Sequence, residues 1–168
     1  MNFLSIYLSY IMSNKNVDKE KSPFRRSAEK EETRIMVFGT FDGLHQGHIN
    51  FLKQAKNFIQ NSFLIVSIAR DKNVLKIKGK YPDKNERERM ILVEKCKLVD
   101  QVVLSGIKSH LPHIIKMRPG IIALGYDQKA YVQNLKKDLK NKGILIKIIR
   151  LKPHQEKIYK NHLLKTKK

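Results

Sequence analysis

Two histidines three residues apart, His45 and His48, close the stretch IMVFGTFDGLHQGH at residues 35–48, after an apolar run and a polar turn. A strand that simply turns into a helix needs one cap residue, and this turn carries far more polar chemistry than that. Gly39 permits close backbone approach, and a helix expected from about Gly47 aims free N–H groups and a partial positive charge into the turn. That combination suits phosphate. Imidazoles at i and i+3 face the same way and can donate to phosphoryl oxygens as charge develops in a transition state. Two rival readings use the same residues. A zinc ion would need a third ligand, for which Asp42 or Asp127 could serve. Helical zinc pairs, however, favour i, i+4 spacing around a glutamate, and the single cysteine, Cys96, lies well outside the turn. In the other rival reading the two histidines are ordinary cap or core residues.

The elements that must hold this turn alternate along the chain. Short β-branched and aromatic runs occupy 34–39, 63–69, 101–105, 120–125 and 144–149. Between them the apolar spacing is helical. Ile49, Leu52, Ala55 and Ile59 share one helix face, and Tyr131, Leu135 and Leu139 recur every four residues before Gly143, a left-handed stop. A further helix is expected from near Asp83, with Glu86 as capping-box partner and Met90 to Val93 as its apolar centre. A weaker one lies near 109–117, with Pro112 early in it, where proline is tolerated. Five strands alternating with helices predict a single α/β domain with a Rossmann-like, doubly wound parallel sheet of order 3-2-1-4-5. Ligands of such sheets bind beyond the carboxyl ends of the strands, where strand order reverses. Gly39 to His48 follow the first strand, and Gly125, Tyr126, Asp127 and Gln128 follow the fourth. Both clusters are expected on that crevice.

Residues 13–33 mix charges with no apolar period and read as a solvated tail, so the division expected is a flexible extension over 1–33 and a domain over 34–168. The apolar start MNFLSIYLSYIM lacks the basic leader and small-residue cleavage site of a secretory signal. No apolar run approaches the ~20 residues that span a bilayer. One cysteine excludes an internal disulfide, which fits a reducing compartment, and a cytoplasmic protein is expected. The net charge of +20 attracts phosphorylated molecules or nucleic acid. Lysine supplies 27 of the 35 basic residues, whereas base-specific readers lean on arginine, so nucleic acid is the disfavoured partner.

GTFDGLHQGH resembles the GTFDxxHxGH signature of the cytidylyltransferase-like nucleotidyltransferases. The likeness continues through ARDKNVLKIKGKYP, RMILVEKCKLVDQVVLSG and RPGIIALGYDQ, over about residues 34–152. Class I aminoacyl-tRNA synthetases share a related turn, but 168 residues leave no room for their other parts. IIALGYDQ together with the KGKYP loop is most similar to archaeal-type FAD synthases, which adenylylate FMN. Glycerol-3-phosphate cytidylyltransferases, which use CTP, share the same frame and stand as the alternative.

The resemblance implies attack by an acceptor phosphate on the α-phosphorus of a nucleoside triphosphate carried with Mg²⁺, with pyrophosphate released and no protein-ligated metal. It implies that the turn from Gly39, Thr40 and Phe41 through Asp42 and Gly47 cradles the triphosphate. His45 and His48 would contact its phosphates, and Lys78, read as lying in the loop after the second strand, would reach across to them. Arg89 would support the nucleotide site, and Gly125 and Asp127 would line the nucleotide pocket. Asn161 and His162 stand where the family carries a Ser/Thr pair that holds the outer phosphates. That departure keeps a further alternative open, a catalytically weakened nucleotide-binding protein. The partners expected are an NTP and a phosphorylated acceptor such as FMN, with no membrane; a homodimer is compatible with the reading.

Overall fold

The computed structural model describes residues 32–128 and 132–154. Residues 1–31, Tyr131, Asn161 and His162 therefore lie outside the described residues. In chain order the elements are β1 (Thr33–Gly39), α1 (Gln46–Lys56), β2 (Ser62–Ile68), α2 (Asp71–Lys78), α3 (Glu86–Glu94), β3 (Gln101–Leu104), α4 (Leu111–Met117), β4 (Ile121–Leu124), α5 (Val132–Asn141) and β5 (Lys147–Arg150). All pairings are parallel and the order is β3-β2-β1-β4-β5, as the alternating texture predicts.

A parallel sheet covered on both faces needs strands that are apolar at nearly every position. β1 and β2 read so, and alternation sends their residues to two separate cores. Ile35, Val37, Leu64 and Val66 meet Leu52 and Ala55 of α1 and Val93 of α3 on one face. Met36, Ile65, Ile122 and Leu124 meet Ile114 of α4 and Leu135 and Leu139 of α5 on the other.

Three local expectations shift, each for a visible reason. The last strand begins at Lys147 rather than at 144. The chain first needs a Schellman stop, in which Gly143 takes φ 65°, its N–H bonds Lys140 O and the Ile144 N–H bonds Leu139 O. The helix expected from Asp83 starts at Glu86, and the capping box belongs to Asn85 and Glu88. The Asp83 and Lys84 N–H groups are instead held by the Asp42 carboxylate, at 2.8 and 2.9 Å. Lys78 is not in a loop: it is the last residue of the short helix α2, which Gly79 terminates at φ 72°. That helix buries only Val74, too little apolar repeat to betray it in sequence.

Candidate active site

A cavity of about 1020 Å³ opens at the carboxyl ends of the strands. Gly39 to Asp42, His45, Gly47 and His48 line it on one side and Gly125 to Gln128 on another, with Lys78 also in its wall. The crevice expected from strand order thus gathers both polar clusters.

The turn after β1 is built around an aromatic ring. Phe41 adopts φ 51°, a left-handed conformation that costs a non-glycine residue energy and is held only by its surroundings. It folds its ring, 2% exposed, back beneath Gly39, where an added Cβ would come within 2.5 Å of the ring. Close backbone approach is the expectation for Gly39, and what a side chain there would strike is this ring. The same ring carries His48 at 5.1 Å between centroids, and His45 stacks on His48 at 3.8 Å. Apolar packing thereby sets the height of both imidazoles.

Hydrogen bonds then set their tautomers. His45 is the N-cap of α1 and its Nδ1 accepts from the His48 N–H at 3.4 Å. A neutral His45 therefore carries its proton on Nε2. His48 Nδ1 lies 2.8 Å from the Gly43 carbonyl, which can only accept, so neutral His48 carries its proton on Nδ1 and leaves Nε2 bare. Burial first, and then the charge of His45, lowers the His48 pKa to about 4. The stacked pair is a donor beside an acceptor, not two equivalent donors.

Lys78 Nζ donates to Thr40 Oγ1 at 3.1 Å. Burial pulls its pKa down, while Asp42 and Asp127 act to hold the ammonium form. Arg89 is fully buried and is not part of the cavity wall. It lies beneath the site, donating to the carbonyls of Thr40, Ala69 and Lys84 and pairing with Asp71. Its contact with the turn is to the Thr40 backbone.

Several bonds of this architecture escape a sequence reading. Gln128 bridges two strand ends: its Nε2 donates to Phe38 O at 2.6 Å and its Oε1 accepts from Gly125 N at 2.9 Å. Arg150, at the end of β5, donates to the carbonyls of Gly125, Tyr126 and Gln128. Asp71 and Glu86 each accept the other's backbone N–H, at 3.1 and 3.0 Å, tying the first turns of α2 and α3 together. A long-range partner leaves no local signal. Of these residues, Gln128 is the one whose place beside Asp127 after the fourth strand puts it on the expected crevice; its bonding partners are not legible there.

Residues 36–164 match the model of the cytidylyltransferase-like family. The chain belongs to that family. It is 43% identical over 119 residues to the FAD synthase of Korarchaeum cryptofilum (strain OPF8), spanning 70% of this chain and 80% of that one. It is 40% identical over 141 residues to the FAD synthase of Thermococcus sibiricus (strain DSM 12597 / MM 739), spanning 83% and 91%. Among solved structures, a lipopolysaccharide core biosynthesis protein from Thermoplasma volcanium GSS1 superposes with a TM-score of 0.67 at 36% identity, covering 73% of this chain and 98% of that one. The pantoate-β-alanine ligase of Francisella tularensis, at 19% identity and a TM-score of 0.51 over 84% of this chain and 70% of that one, shares the fold. The stretch of this cytidylyltransferase-like chain that matches includes His45, Gly47 and His48.

Proposed function

We propose that the protein is an FMN adenylyltransferase, an FAD synthase. The observation that carries this reading is about 40% identity to FAD synthases over most of both chains. An oxygen of the FMN phosphate attacks the α-phosphorus of ATP, the bond from that phosphorus to the β-phosphate oxygen breaks, and pyrophosphate leaves. A phosphate monoester has its second pKa near ~6, so the nucleophile is already ionised at neutral pH and needs no general base. The protein then has to position two anions and neutralise charge.

The cavity's chemistry supports that work. The start of α1 and the Thr40 backbone face the triphosphate, Lys78 supplies a cation, and His45 Nε2–H supplies a donor at the α-phosphorus. His48 donates there once protonated. Asp127 and Gly125 sit on the nucleotide side, and Asn161 is assigned to the outer phosphates. Mg²⁺ would arrive on the triphosphate and screen its charge. Both Asp42 oxygens already accept backbone N–H bonds, from Asp83 and Lys84, which fits an ion carried by the triphosphate oxygens rather than by the protein. The test is a pyrophosphate-release panel whose central pair is FMN with ATP and glycerol 3-phosphate with CTP, with the product resolved by chromatography. FAD formed from the first pair alone is the expected result. Turnover of the second pair alone would move the protein to the cytidylyltransferases.

A further inference from the structure

A second pair of histidines at i and i+3, His110 and His113, stands on the opposite face of the sheet from His45 and His48. Register places Phe38 of β1 beside Ser67 of β2. Strand alternation turns both toward the face covered by α4 and α5. Ser67 is fully buried between the apolar Val66 and Ile68 of β2, and its Oγ lies 3.1 Å from His113 Nε2. One turn earlier His110 sets its ring edge-on to Phe38, with centroids 6.2 Å apart. Nothing in the phosphate chemistry described above uses this group.

A buried hydroxyl costs stability unless it is bonded, and alanine would fill the site more simply. The bond to His113 spends only part of the serine's capacity of one proton and two lone pairs. Ser67 and His110 both reach the cavity, where Leu124, and Leu135 and Asn134 of α5, form the facing wall. Burial pushes both histidines below their ordinary pKa, and His110 and Lys116 push His113 further, so the pair is neutral at pH 7. With Lys108 and Asp138 also in the cavity lining, this part of it offers apolar walls and the uncharged hydroxyl and imidazoles of Ser67 and the two histidines. The turn after β1, with Lys78 of α2 bonded to its Thr40, offers a cation and a helix start. An acceptor with a flat, uncharged ring system at one end and a doubly charged phosphate at the other matches that division.

We propose that the lobe between α4 and α5 receives the flavin ring of the acceptor, and that Ser67, oriented by His113, reads the ring's polar edge. This rests on the FMN adenylyltransferase reading. Ser67 contacts the ring; His113 is a positioning residue that fixes the hydroxyl. Steady-state kinetics with FMN and ATP, together with riboflavin binding followed by flavin fluorescence, test it in the full-length chain. Ser67→Ala is expected to raise KM for FMN and weaken riboflavin binding about tenfold, the value of one hydrogen bond in a closed site, with kcat and KM for ATP within about twofold. His113→Ala should do the same and His113→Gln should recover most of the loss. If His113→Ala does not fold, Ser67→Ala decides alone, since it removes a single atom. Wild-type protein that makes FAD while Ser67→Ala leaves KM for FMN and riboflavin affinity within twofold overturns this inference and spares the adenylyltransferase reading. Wild-type protein that makes no FAD overturns both.

Discussion

With Nδ1 donating to the Gly43 carbonyl, His48 can donate to a phosphate oxygen only by taking up a second proton on Nε2. Its pKa of about 4 in the free protein means that proton is absent at neutral pH. An anionic triphosphate against Nε2 raises the pKa, so nucleotide binding takes up a proton. Affinity should fall as pH rises from about 4 to the pKa of the bound state, and level off above it. Calorimetry at pH 6 in two buffers of different ionisation enthalpy should show proton uptake that His48→Ala largely removes; equal heats in both buffers would refute it. Turnover of His48→Ala should drop ~10²-fold with the fold intact, the usual value of a transition-state donor. The same lowered pKa acts on stability. Unfolded histidine binds protons that folded His48 does not, so its contribution is complete above pH 6.5 and is lost as pH falls toward 4. His110 and His113 shift in the same direction, and Tm should decline over that window.

At the scale of elements, the turn is held from below by α3. The guanidinium of Arg89 gathers three carbonyls, from Thr40, Ala69 and Lys84, and the Asp71 carboxylate, while Asp71 and Glu86 cap each other's helices. A planar fork can serve four acceptors at once, and an ammonium cannot. Arg89→Lys leaves buried carbonyls and Asp71 under-bonded and should cost about 3 kcal/mol in urea unfolding, the range for breaking a buried pair. Because it also frees Thr40, KM for ATP should rise. An unfolding midpoint equal to wild type would show that the network is dispensable. The apolar period of α1 was legible because Leu52 and Ala55 face a core, whereas α2 was not, because one buried valine makes no period.

For the molecule as a whole, the described fold begins with β1 at Thr33, and residues 13–33 carry no apolar period that would fasten them to a core. A chain starting at Glu32 is accordingly expected to keep the Tm and ATP affinity of the full chain; a Tm lower by many degrees would show that the apolar start packs on the domain. Strand order and crevice were determined by the sequence itself. Uninterrupted apolar runs demand a sheet buried on both faces, right-handed crossovers prune its order, and the reversal of order between β1 and β4 names the crevice. The turn from Gly39 to His48 was legible as a site because its residues are neighbours along the chain. Tertiary structure alone decided what joins distant residues. Gln128 ties β4 to β1, Arg89 carries the floor of the turn, and Ser67 meets His113 across 46 positions. Local sequence records backbone preference and apolar period. A hydrogen bond between residues brought together only by sheet register leaves no trace in either, so those roles appear once the strands are aligned.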